Sequence, residues 1–121
     1  MKTLYKLENG RFLILKRGDI MVVNYFKEYG AEDAPSIVER SEKVPYDGMD
    51  KIVDFLDTKG EVGIVSADIP RDLITGERID GELYTKKIDG FSWWSDLPYH
   101  VRKYNLRLPK KFEDYVLSHS A

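Results

Sequence analysis

Residues 80–104 read DGELYTKKIDGFSWWSDLPYHVRKY. The two Asp-Gly pairs, at 80–81 and 89–90, are typical of hairpin corners because both residue types tolerate the positive φ that tight turns need. Each pair precedes a segment that contains aromatic residues, which favours extended structure. We therefore predict strands at Glu82–Lys86 and Phe91–Trp94.

The same stretch ends in a predicted helix, Asp96–Tyr104. Ser95 is the expected N-cap, and Pro98 is tolerable because the first turn of a helix does not need the amide donor that proline lacks. The predicted buried face consists of Leu97, Val101 and Tyr104. Strands followed by a short amphipathic helix indicate an α+β fold.

Two further helices are predicted, one before this stretch and one after it. The first spans Gly48–Thr58, with Asp47 as its N-cap and Lys59-Gly60 as its stop. Its apolar residues recur at the i, i+3, i+4, i+7 spacing of a buried stripe, namely Met49, Ile52, Val53 and Leu56. The other helix begins at Pro109, with an apolar face of Phe112, Tyr115 and Val116.

Other strands are predicted from β-branched and aromatic runs between turn residues. Asn9-Gly10 favours a hairpin that leads from the apolar residues Leu4, Tyr5 and Leu7 to a return strand at Arg11–Lys16. The further predicted strands are Ile20–Phe26, Ser36–Glu42 and Glu61–Ser66. The expected fold class is therefore α+β, an antiparallel sheet of meanders and hairpins with two or three short helices packed on one face.

The composition indicates one globular domain, 1–121. The chain has 121 residues, of which 42% are hydrophobic and none is cysteine. Because cysteine is absent, disulfides, thiolate metal sites and cysteine nucleophiles are excluded. No apolar run approaches the ~20 residues of a membrane span, and the first residues lack the apolar segment of a signal peptide. We therefore expect a cytoplasmic protein.

The formal charge of −2 hides an uneven distribution. Residues 1–27 carry +4, residues 28–96 carry −9 and residues 97–121 carry +3. Such asymmetry bears on partners and association rates rather than on fold. Two interpretations stay open: the acidic middle pairs with the basic ends once the chain folds, or it remains available to a basic partner.

Four aspartates recur along the first predicted helix. They are Asp47, Asp50, Asp54 and Asp57, and at ~100° per residue they fall within about 80° on one flank. Such a flank is a solvated helix face or a contact surface for a basic partner. A divalent-cation site is disfavoured, because an EF-hand needs a glycine-containing loop and a bidentate glutamate.

Little in the sequence points to catalysis. Of the two histidines, we expect His100 to pack at the rim of the core or half-buried in it, and His119 to be solvated. No serine elbow, phosphate-binding glycine loop or metal-ligand spacing is present. We predict no catalytic residue, no metal site and no cofactor, and a small enzyme of unrecognised type remains the alternative.

Nucleic acid is a disfavoured partner, and protein recognition is the preferred one. The basic residues of 97–121 are interleaved with aromatics, but the sequence pI of about 5.7 is far from the strongly basic value typical of nucleic-acid-binding domains. Aromatic residues exceed what a small core needs, and they are enriched at protein interfaces. Adjacent residues in a strand point to opposite faces, so Trp93 and Trp94 cannot both face the same core layer.

Residues 89–112, DGFSWWSDLPYHVRKYNLRLPKKF, carry a resemblance to a known family. They are similar to the tails of small bacterial proteins of the immunity type, from polymorphic and contact-dependent toxin systems. Those tails combine an Asp-Gly-x-x-x-Trp strand, a capped helix and a Leu-Pro-x-x-Phe helix start. The resemblance covers about a fifth of the chain and implies a protein that binds and blocks one cognate toxin, without assigning toxin-binding residues.

Taken with the charge distribution, this resemblance leads to a predicted partner-binding surface. It consists of the four aspartates and two aromatic anchors: Tyr46, Asp47, Asp50, Asp54, Asp57 and Trp93. A basic nuclease is one class of toxin that such a surface would attract. An inhibitor or adaptor encoded by a phage or host, outside toxin immunity, remains open.

Overall fold

The computed structural model describes residues 2–6, 12–16 and 20–119, and side chains within 20–119. A short 3₁₀ helix spans Lys27–Tyr29. The strands and helices, in chain order, are β1 (Lys2–Lys6), β2 (Phe12–Lys16), β3 (Met21–Val22), α1 (Met49–Thr58), β4 (Glu61–Ser66), β5 (Leu83–Ile88), β6 (Phe91–Trp94), α2 (Leu97–Tyr104) and α3 (Lys110–His119).

The fold class is α+β, as predicted. A four-stranded sheet has the order β3-β6-β5-β4 and is accompanied by the three helices, while β1 and β2 form a separate pair. The sheet is mixed rather than wholly antiparallel, because β3 runs parallel to β6. Backbone hydrogen bonds beside this pairing run from Met21 N to Gly90 O at 2.7 Å and from Val23 N to Ser92 O at 2.8 Å. Strand patterns do not predict such a pairing, since the partners are distant in the chain.

The N-terminal hairpin is confirmed by the antiparallel pairing of β1 with β2, in which Lys6 lies opposite Phe12. Its predicted turn at Asn9-Gly10 lies outside the described residues. The predicted strand Ile20–Phe26 is shorter than expected. It ends at Val22, and the chain then turns so that the fully buried Asn24 accepts a bond from Trp94 N through its side-chain oxygen at 3.2 Å.

The strand predicted at Ser36–Glu42 is wrong, since residues 37–40 form turns. The Glu28 carboxylate accepts hydrogen bonds from Ile37 N at 2.8 Å and from the Ser36 hydroxyl. A side chain therefore uses a backbone donor that a strand would give to its neighbour. Ser41 alone in this segment forms a bridge, to Leu106.

The hairpin of β5 and β6 is confirmed at its predicted Asp-Gly corner. Asp89 and Gly90 have φ values of 45° and 84°, the paired positive angles of a tight hairpin turn. The other pair, Asp80-Gly81, does not close a tight hairpin. It ends the long connection that joins β4 to β5, two antiparallel neighbours with a bulge between Val62 and Val65.

The helices occur where predicted, but their N-caps differ. Gly48, with φ at 83°, occupies the N-cap of α1, and Asp47 makes no capping bond. Asp96 occupies the N-cap of α2. The Ser95 hydroxyl instead donates to Glu82 O and accepts from Tyr84 N, both at 3.0 Å, so it stabilises the entry of β5. The predicted stripe of α1 is buried as expected.

The core lies between the sheet and the helices. Phe91 and Trp93 point to one face of β6, where the ring of Phe112 lies 5.0 and 5.7 Å from theirs. Phe55 of α1 contacts the same cluster, 6.1 Å from Trp93. Trp94 points to the other face and is also buried, at 2% exposed. Both faces of β6 are therefore covered.

Candidate functional site

The acidic flank of α1, defined by Asp50, Asp54 and Asp57, is the most prominent feature among the predicted site residues. All three are exposed, and their spacing places them within about 60° of one another around the helix. Asp47 precedes α1 and is therefore not part of this helical flank. No described cation lies within ion-pair distance of Asp50 or Asp54.

Asp57 differs from the other two because cations surround the end of α1. Its carboxylate lies 3.2 Å from Arg102 of α2. The buried ammonium of Lys86 donates to the carbonyls of Leu56 and Asp57 at 3.2 and 2.7 Å. Burial lowers the pKa of Lys86, and the charge of Asp57 opposes that shift. A lysine from β5 thus satisfies helix carbonyls that α1 leaves without intrahelical partners.

Asp47 lies in a different place, a groove of 470 Å³ beside the C-terminal segment. Arg107, Lys110 and Glu113 line the same groove. The groove therefore mixes both signs of charge. The fourth predicted aspartate does not extend the acidic flank into one continuous acidic surface.

Tyr46 is half-buried and held in place by its neighbours. Its hydroxyl donates to Leu106 O, and the Arg107 guanidinium stacks 4.1 Å from its ring centroid. Burial raises the pKa of Tyr46; the charge of Glu113 adds to this shift, and that of Arg107 opposes it. Arg107 is itself held by Glu113 at 2.6 Å. Tyr46 therefore joins the chain segments before α1 and after α2.

Trp93, which the sequence predicted as an aromatic anchor on the surface, lies in the core instead. The side chain is 1% exposed, enclosed by Phe55 and Phe112. Its indole N–H is buried without a hydrogen-bond partner among the described residues. Extended geometry sends the two tryptophans to opposite faces, as expected, but both faces are covered. Neither tryptophan offers a contact surface.

A polar cluster centred on Asp72 was not predicted. Asp72 is fully buried, and its carboxylate accepts hydrogen bonds from Tyr99 at 2.8 Å, Lys103 at 2.9 Å and Tyr104 at 2.7 and 2.8 Å. The backbone amides of Ile74 and Thr75 also donate to it, at 2.8 and 3.0 Å. This Asp72 cluster ties the connection between β4 and β5 to α2. The sequence signal, an aspartate followed by turn residues, predicts only the hydrogen bonds within the turn and not those to α2.

The Asp72 cluster perturbs its titratable groups strongly. Burial raises the pKa of Asp72, but the hydrogen bonds from Tyr104, Lys103 and the two amides outweigh it and hold that pKa below the usual range. Hydrogen bonding to Asp72 raises the pKa of Lys103. Burial and the bond to Asp72 raise the pKa of Tyr104 to about 12. The cluster thus consists of an ionised carboxylate and donors that stay protonated. We therefore interpret it as a structural cluster.

The expectation for His100 also needs correction. The side chain is fully buried, and lies neither at the rim of the core nor half-buried in it. Its Nε2 accepts a bond from Leu73 N at 2.9 Å, and its ring stacks 6.2 Å from that of Tyr104. His100 lines neither the 470 Å³ groove nor a larger one of 820 Å³ beside α3. His119 is exposed, as predicted.

Ion pairs connect the acidic middle of the chain with its basic end. Arg102 meets Asp57, Lys103 meets Asp72 and Arg107 meets Glu42, at 3.2, 2.9 and 3.8 Å. The bases of residues 97–121 are therefore partly neutralised on folding. Asp50 and Asp54 lie outside this pairing.

The described residues contain neither a metal-binding cluster nor a helix suited to a membrane. No group of three or more histidines and carboxylates among them has a geometry that would hold a metal ion. None of the helices in that part of the chain has the length and apolar composition needed to cross a bilayer.

The acidic flank and the Asp72 cluster must be interpreted from their own geometry. Comparisons with protein-family models, with curated proteins and with solved structures find no match.

Proposed function

We propose that this protein is a binding inhibitor, of the immunity type, that recognises a basic protein through the acidic flank of α1. One observation carries the proposal: the carboxylates of Asp50 and Asp54 are exposed on one flank, and no described cation pairs with them. The internal ion pairs of the fold therefore leave negative charge on this helix for a partner.

One member of the flank, Asp57, opposes the dipole of the helix that carries it. The last turn of α1 contains Asp57 and no basic residue. Negative charge at that end opposes the helix dipole, typically by about 0.3–1 kcal/mol. Lys86 and Arg102 must offset it from outside the helix. Contacts within the fold thus account for Asp57, whereas Asp50 and Asp54 have no described cation beside them.

The chemistry of the flank favours a basic partner. Clustered like charges accelerate the encounter with an oppositely charged protein. Such complementarity raises the association rate more than it raises the affinity. A toxin with a basic substrate cleft, such as a nuclease, fits this description. The resemblance of residues 89–112 to immunity-type proteins supports the same class of partner.

The test is binding to toxin domains encoded beside this gene, measured by surface plasmon resonance. We expect a complex with one of them, and an association rate about tenfold lower for Asp50→Asn/Asp54→Asn at low salt. The matched control is Asp68→Asn/Glu77→Gln, which removes the same charge from exposed residues outside α1. Absence of any complex would refute the inhibitor function. Equal effects of the two variants would refute the acidic flank as its surface.

A further inference from the structure

Residues 70–79 form a compact turn that is docked against α2. Within the turn, Asp72 N donates to Glu77 O at 2.8 Å, Gly76 N to Asp72 O at 2.7 Å and Ile79 N to Pro70 O at 2.9 Å. These bonds depend on no other part of the fold. The amides of Asp72, Gly76 and Ile79 therefore have partners that do not involve His100.

Two polar anchors attach this turn to α2. One is the Asp72 cluster, and the other is the hydrogen bond from Leu73 N to Nε2 of His100. A backbone N–H can only donate, so Nε2 must be the unprotonated nitrogen of a neutral imidazole. The proton then lies on Nδ1, which is 2.9 Å from Asp96 O. The docked arrangement thus requires one tautomer of neutral His100.

The groups around His100 come from three parts of the chain. Asp96 and Tyr29 face Nδ1: the tyrosine hydroxyl lies 3.4 Å from this nitrogen and donates to the Asp96 carboxylate at 2.9 Å. The rings of Tyr99 and Tyr104 lie 5.2 and 6.2 Å away on α2. The charges beyond them belong to Asp72 and Lys103, which pair with each other. A buried carboxylate close to the ring favours uptake of a proton, whereas burial opposes it.

We propose that His100 is a proton-operated latch, and that its protonation opens the Leu73 contact between the 70–79 turn and α2 while the Asp72 cluster stays in place. A proton on Nε2 would place two N–H groups against each other, and it would leave the Leu73 amide without its acceptor. The Leu73 contact excludes the protonated ring, so opening of this contact takes up a proton and becomes more favourable as the pH falls. The latch lies in a different part of the molecule from the acidic flank and does not depend on the proposed partner.

The latch has a single-residue readout in amide hydrogen exchange. We expect the protection factor of the Leu73 amide to fall about tenfold between about pH 8 and pH 5, because that amide loses its partner. The Gly76 amide, bonded within the turn, should keep its protection and serves as the internal control. His100→Gln retains an oxygen acceptor that does not titrate, and its Leu73 protection should be independent of pH. Unchanged Leu73 protection in the native protein, or equal loss at Gly76, would overturn the proposal.

A titration of the ring nitrogens by NMR tests the native protein without any variant. The chain has two histidines, and the exposed His119 provides the reference. His100 should change from the Nδ1-protonated tautomer to the doubly protonated ring, with the Leu73 amide shift following the same midpoint. A His100 ring that stays neutral to about pH 5 would exclude the latch.

Discussion

At the scale of single residues, Asp72 shows how one side chain joins segments that are distant in sequence. Its carboxylate meets donors from its own turn and from α2 while fully buried. A buried charge is tolerated only where hydrogen bonds and an opposite charge replace the lost water. The Asp72 cluster meets both conditions, so we interpret it as a structural anchor.

Replacement of this carboxylate should be costly. We expect Asp72→Asn to lower the free energy of unfolding by about 3 kcal/mol, because Asn cannot accept every bond that the buried carboxylate accepts from the two tyrosines and the two amides. Tyr99→Phe, which removes one donor, should cost about 1 kcal/mol. Urea denaturation measures both values. A loss below about 0.5 kcal/mol for Asp72→Asn, the range of ordinary surface substitutions, would contradict the anchor.

The same residue predicts a pH dependence with a definite sign. The pKa of Asp72 is lowered on folding, so the folded state holds fewer protons than the unfolded state at acidic pH. The stabilisation from the Asp72 carboxylate is complete above about pH 3.9, the usual pKa of aspartate. It is lost as the pH falls towards the pKa of Asp72 in the folded state. The difference between native protein and Asp72→Asn should therefore be constant above about pH 5 and shrink below pH 4. A difference that grows on acidification would contradict this.

At the scale of elements, the junction of α1 and β4 depends on a glycine. Gly60 has φ at 91°, and a Cβ there would lie 3.3 Å from both Lys86 Cβ and the Trp93 ring. The residue thus meets two demands at once: a left-handed backbone and a close approach to the core. Lys59-Gly60 was predicted as a helix stop, which accounts for the first demand.

A matched pair of glycines separates these two demands. Gly60→Ala should lower the free energy of unfolding by about 2 kcal/mol, through backbone strain and overpacking together. Gly76→Ala meets nothing within 4 Å at a φ of 81°, so it should cost about 1 kcal/mol from strain alone. Thermal or chemical denaturation of the two variants gives the comparison. Equal losses would show that packing at Gly60 adds nothing.

The edge strand β4 also shows the limit of local patterns. Its position was predicted, and residues Glu61–Ser66 form it. The bulge was not predicted, and it keeps Val62 and Val65 opposite Lys86 and Tyr84, on one face of the sheet. A bulge depends on the pairing partner and so is not a property of the strand's own sequence.

At the scale of the whole molecule, one core encloses both tryptophans. Trp93 and Trp94 are 1% and 2% exposed although they point to opposite faces of β6. We expect iodide to quench the native fluorescence weakly, and unfolding in urea to raise the quenching constant several-fold. Free tryptophan amide in the same urea concentrations controls for the solvent. A native quenching constant close to the unfolded one would contradict burial of both side chains.

Charge at this scale divides into a part that folding neutralises and a part that it leaves exposed. The basic residues of α2 and the chain after it reach back to Asp57, Asp72 and Glu42. Asp50 and Asp54 have no such partner among the described residues. Pairing on folding thus describes Asp57, Asp72 and Glu42, whereas availability to a partner describes Asp50 and Asp54. The acidic flank is smaller than the four-aspartate surface that the sequence predicted.

Local sequence determined the α+β class, the three helices and the tight corner at Asp89-Gly90, because periodicity and turn chemistry act between residues close in the chain. Tertiary structure alone decided that β3 runs parallel to β6, that Trp93 and His100 are buried, and that Asp72 meets Lys103. It also replaced Asp47 and Ser95 as N-caps and removed the strand at Ser36–Glu42. These features depend on contacts between segments far apart in sequence, where burial and partner geometry outweigh local propensity.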